Sequence, residues 1–150
     1  MANKSPNSDS RYESGLSKTK ANYTALTPLT FLERAAHVYP NRTAWIHENR
    51  SATYTEFYER CRKLASALHK RGIGPDDTVA IMSPNTPAML ESHYGIPMVG
   101  AVINALNYRL DAETIAFILD HGEASVLLTD RSFSPTIKKA LKLCSVEPLV

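Results

Sequence analysis

Apolar residues recur at two different periods along this chain, and the switch between them marks its organisation. In TEFYERCRKLASALHKRG, Phe57, Cys61, Leu64, Ala65 and Leu68 fall at i, i+4, i+7, i+8 and i+11, which is one face of a helix. Thr55 is expected to cap its start, and Glu56 suits the positive end of the helix dipole. Gly72 supplies a left-handed stop after Lys70 and Arg71. Upstream, TPLTFLERAAHVYP places Leu32, Ala35, Ala36 and Tyr39 at helical spacing, with Thr27 or Thr30 as cap and Pro40 as stop. Between the two helices, TAWIHENRSATYT reads as a hairpin. Its strands are Thr43 to His47 and Ala52 to Tyr54, around Glu48-Asn49-Arg50.

From Thr78 the pattern changes. TVAIMSP is a short, nearly continuous apolar run, as in strands buried on both faces. Thr86 is then expected to cap a helix, with Pro87 at its first position, where no amide partner is lost. Pro97 should kink or split that helix. GAVINAL reads as a second buried strand. Asp111 caps AETIAFILDH, whose Ala112, Ile115, Ala116 and Leu119 share one side, and Gly122 ends it. ASVLLTD is a third strand, Ser134-Pro135 opens the helix TIKKALKLC, and SVEPLV begins a fourth strand.

Apolar strands alternating with amphipathic helices imply an α/β fold, a mainly parallel sheet with flanking helices and right-handed crossovers. The sequence reaches Val150 inside its last apolar run, where a domain seldom ends, so it reads as a truncated product. Residues 1–24 are rich in Ser, Asn and Lys with almost no aliphatic side chains, and they read as a disordered lead before a domain that occupies 25–150.

Composition narrows the picture mainly by exclusion. Net charge is +2 with histidines neutral, and the lysines and arginines are scattered, so nucleic acid is not indicated. The best apolar stretch, Ile96 to Leu106, is broken by Pro97, Gly100 and Asn104, so no transmembrane segment is expected. The two cysteines, Cys61 and Cys144, are far apart with no CxxC, and read as free buried thiols in a reducing compartment. No apolar signal core is present at the start, so the N-x-S/T matches at Asn22, Asn41 and Asn49 read as chance.

Candidate chemistry is sparse. Gly72-Ile73-Gly74 follows a helix and precedes a strand, the reverse of a dinucleotide loop. No GxxxxGK[ST] and no G-x-S-x-G exists. Ser83-Pro84-Asn85-Thr86 passes from strand to helix, where backbone amides can face an anion, but it offers neither glycine nor lysine and reads as a capped turn. The stretch Asn104 to Arg109 is similar, with Arg109 free to pair with Asp111. His93 lies mid-helix among Met89, Leu90 and Tyr94, either as a core histidine or lining a pocket. His37, His47, His69 and His121 have no metal-ligand spacing. Glu33/Arg34 and Glu59/Arg60/Arg62/Lys63 read as solvated helix faces.

Three stretches together carry a family resemblance: ATYTEFYERCRKLASAL, VAIMSPNTPAMLESHYGIPMVGAVINALN and LDAETIAFILDHGEASVLLTD. From about Leu26 to Leu143 the chain resembles the opening of AMP-forming acyl-CoA synthetases, in the adenylate-forming superfamily that includes luciferases and peptide-synthetase adenylation domains. NYTALTPLTFLERAA and HYGIPMVGAVINALN resemble the short-chain, medium-chain and aromatic members. The resemblance implies an enzyme that uses ATP, Mg²⁺ and coenzyme A on a small carboxylic acid. It also implies a cytoplasmic location, or a peroxisomal one if a C-terminal signal lies downstream. The family's Ser/Thr/Gly-rich phosphate loop with its lysine, the adenine-binding segment, the ribose-binding aspartate and the C-terminal lysine do not occur in residues 1–150. No catalytic, cofactor-binding or metal-binding residue is therefore carried over, and none of these cofactors is expected to bind this chain tightly. Two other readings remain at this stage: a stand-alone flavodoxin-like binding or interaction module, and a gene product without function.

Overall fold

The computed structural model describes residues 18–150. The core of the expected lead lies outside the described residues, and of its end the chain from Thr19 to Tyr23 forms a turn closed by Tyr23 N–H donating to Thr19 O at 3.0 Å. Among the described residues the first element is α1 (Pro28–Val38), followed by the hairpin β1 (Thr43–His47) and β2 (Arg50–Thr53), and the long helix α2 (Tyr54–His69). Then come β3 (Thr78–Met82), α3 (Pro87–Gly95), β4 (Val102–Ala105), α4 (Ala112–His121), β5 (Ala124–Thr129) and α5 (Ser134–Ala140).

The three later strands form a parallel sheet in the order β4-β3-β5. Alternation along β3 explains how both faces are filled. Ala80 and Met82 pack with Leu127 against Ile115, Ala116 and Leu119 of α4 and Ile137 and Ala140 of α5. Val79 packs on the opposite face with Val126, Leu68 of α2, Ile96 and Ala101. β3, and β5 at Val126 and Leu127, thus bury both faces, which is why each reads as an apolar run. The expected fourth strand is present as a single parallel bridge. Leu149 N–H donates to Ser125 O and Leu127 N–H donates to Leu149 O, beside β5.

Outside α2 and α3 lies a further layer made by α1 and the hairpin. Leu32, Phe57 and Cys61 form its centre, with Trp45, Tyr54, Tyr58, Tyr94 and Met98 packed around them. Phe57 meets Tyr94 edge to face, with ring centroids 5.2 Å apart.

Several local readings are corrected. The cap of α2 is Thr53, not Thr55. Thr53 Oγ1 accepts from Glu56 N–H at 3.2 Å while Glu56 accepts from Thr53 N–H at 2.8 Å, a reciprocal capping box. The hairpin turn is correspondingly shorter, because Arg50 already pairs with His47 and only Glu48 and Asn49 lie between the strands. Tyr39 is exposed just beyond α1. Thr86 stands at the N-cap of α3 without a side-chain cap bond. Pro97 does split the helix: α3 ends at Gly95 and Pro97–Val99 makes a 3-10 turn. β4 is not a buried strand but one edge of the sheet, with Val102 exposed. α4 does end at Gly122, its C-cap, which keeps a negative φ, and the next residue, Glu123, takes the left-handed region (φ 48). Gly122 is needed for clearance instead, since a Cβ there would lie 2.9 Å from Asn104 Nδ2 and 3.1 Å from Ile118 O.

Candidate functional site

The strand order creates a switch at β3. Its successor α3 lies on the face shared with α2, whereas α4 and α5, which follow β4 and β5, lie on the other face. Loops diverging to opposite faces open a crevice at the carboxyl ends of the strands, the usual ligand position in open α/β sheets. Here a cleft of about 290 Å³ is lined by Ile81, Ser83, Glu91, Ser92, Thr129 and Asp130, among others.

Each polar group in this cleft already has local employment. Ser83 Oγ donates to Pro84 O at 3.1 Å and lies 3.2 Å from Thr86 Oγ1. Asp130 Oδ1 accepts from Ser132 N–H and Oγ–H, and these bonds hold its carboxyl below the usual range. Ser92 Oγ donates to Ala88 O within α3. Glu91 is held by Arg60: Nε donates to Oε1, and Nη2 to Oε2 at 3.0 Å. The hydrogen bond to Glu91 raises the Arg60 pKa further, against the opposing effect of partial burial. Arg60 is exposed like its neighbours Glu59, Arg62 and Lys63, as expected of a solvated face, and it also carries this tie to α3. Sequence spacing could not reveal this, because its partner lies 31 residues away.

The loop after β4 meets the turn after β5. Tyr108 stacks on Phe133 with centroids 5.8 Å apart, and the Arg109 guanidinium lies over the Tyr108 ring at 5.8 Å. Arg109 does not pair with Asp111. That carboxylate instead accepts from Thr114 N–H at 2.8 Å, capping α4, which lowers its pKa.

A larger groove, of about 520 Å³, runs between β1 and α3. Trp45, Ile46 and His47 line one wall, and Pro87, Met89, Leu90 and His93 the other. His93 is exposed here, with Nδ1 2.8 Å from Met89 O, so it is the lining histidine and not a core one. Trp45 Nε1 is buried and has no hydrogen-bond partner among the described residues.

Of the two cysteines, Cys61 is fully buried and its thiol is pushed up to about 12 by burial. Cys144 is half-buried, and burial raises its pKa as well. Neither is an activated nucleophile. Among the described residues no group of three His, Cys, Asp or Glu side chains is placed to hold a metal ion, and no helix is long and apolar enough to cross a membrane. The donor set at the carboxyl ends does not fit a nucleoside triphosphate with its magnesium. The turn after β3 offers two prolines and neither glycine nor lysine, and Glu91 is engaged through both oxygens by Arg60.

Comparison with known proteins places this frame. The model of the AMP-binding enzyme family matches residues 32–149, and the chain belongs to that family. It is 54% identical over 85% of its length to an acetate/butyrate–CoA ligase of Arabidopsis thaliana named as peroxisomal, covering 22% of that protein. It is 51% identical over 88% of its length to an acetate–CoA ligase of Humulus lupulus, covering 23% of it. A peroxisomal benzoate–CoA ligase of Arabidopsis thaliana is 46% identical over 88% of the chain, with 23% of that protein covered. Among solved structures, a fatty acyl CoA synthetase of Mycobacterium tuberculosis superposes with a TM-score of 0.74 at 26% identity, over 81% of this chain and 25% of that one. The O-succinylbenzoate coenzyme A synthetase of Bacillus subtilis, in complex with AMP, gives 0.68 at 27% identity, over 79% and 30%. The chain thus spans less than a quarter of the length of the curated relatives cited here.

Proposed function

We propose that this chain is the N-terminal portion of an AMP-forming acyl-CoA synthetase acting on short-chain, medium-chain or aromatic carboxylic acids. The overall reaction converts acid, ATP and coenzyme A into acyl-CoA, AMP and pyrophosphate by way of an acyl-adenylate. Adenylation is needed because a carboxylate is a poor acylating agent with no usable leaving group. The observation that carries the reading is identity of 54% and 51% over most of this chain to ligases named for acetate, butyrate and coenzyme A.

Within that enzyme this chain is the frame. Its sheet, packed on both faces, fixes the strand ends that border the reaction centre, and the groups that contact ATP, Mg²⁺ and the acid come from elsewhere. The physical support is the cleft itself, where Ser83, Glu91 and Asp130 are bonded to the protein's own groups. For location, the reading is cytoplasm or peroxisome, the latter supported by relatives whose names include it.

The test is a chimera. This chain replaces its matched segment in the Arabidopsis acetate/butyrate–CoA ligase, and acyl-CoA formation is followed with acetate, butyrate and benzoate. Activity within the range of the parent ligase is expected. A soluble, folded chimera with no acid-dependent AMP release on any of the three acids overturns the reading.

A further inference from the structure

We draw no further inference here: the strongest candidate, the outer edge of the parallel sheet along β4, which leaves Val102 exposed and has no paired strand among the described residues, carries nothing because no feature of the structure shows what covers it.

Discussion

Arg60 of α2 grips both carboxylate oxygens of Glu91 of α3, and Glu91 is nearly buried while Arg60 is half open to solvent (side chains 9% and 48% exposed). The pair ties the helix that follows the hairpin to the helix that leaves β3. Removing the arginine leaves a desolvated carboxylate without its partner. Arg60→Ala is expected to destabilise the chain by about 1–3 kcal/mol, the range for an orphaned acceptor. Replacing both residues by apolar ones, Arg60→Met with Glu91→Leu, is expected to recover much of that loss. Urea unfolding of the two singles and the double decides it. A negligible effect of Arg60→Ala would mean that the pair contributes nothing to holding the helices together.

The start of α2 gives a second test, because two threonines compete for the capping role. Thr53 makes the reciprocal bonds with Glu56. Thr53→Ala is expected to cost about 1 kcal/mol, and Thr55→Ala only a few tenths. Equal losses, read from thermal or urea midpoints, would contradict the capping box.

Gly95 and Glu123 are expected to respond in opposite directions to exchanges of glycine. A Cβ on Gly95 would lie 2.8 Å from Leu64 Cδ2 and 3.0 Å from the Cys61 carbonyl oxygen, and the backbone atom cannot move aside cheaply. Gly95→Ala is therefore expected to destabilise by about 1–3 kcal/mol, despite the better helix propensity of alanine. Glu123 occupies the left-handed region at φ 48. Glu123→Gly is expected to stabilise by up to about 1 kcal/mol through relief of that conformation. Differential scanning calorimetry of the two variants reads both signs.

These residues also show how far the sequence could be read. β3 and β5 were legible because burial on two faces leaves a run of apolar residues, and Asp111 was legible because a cap and its amide are local. Thr53 was missed in favour of Thr55 because two adjacent candidates differ only in where the hairpin ends, and Arg50 pairing with His47 moves that end. β4 looked buried because Val102 and Ile103 are as apolar as the central strand, and no local pattern says which strand lies at the edge. Arg60 and the groove depend on partners distant in sequence. Trp45 and His93 meet across a gap that no periodicity predicts.

Acid should weaken the chain through its caps. Hydrogen bonds from the backbone N–H groups of Thr114 and Thr53 hold Asp111 and Glu56 below their ordinary values in the folded state. The unfolded chain takes up these protons first, near pH 4. Each cap therefore contributes fully above that pH, and its contribution is lost as pH falls through the lower folded value. Asp111→Asn keeps a capping oxygen without the charge. Its urea midpoint is expected to fall less steeply than that of the parent below about pH 5. Identical slopes would show that Asp111 does not titrate from a lowered pKa.

The scaffold account is tested most directly by acid-dependent exchange of pyrophosphate into ATP, measured on the purified 150-residue chain with acetate, butyrate and benzoate. The expected rate equals that of a mock preparation, since the turn after β3 brings neither a glycine-rich amide cradle nor a lysine to a triphosphate. Exchange well above the mock, dependent on the acid and lost on heat unfolding, would contradict the account.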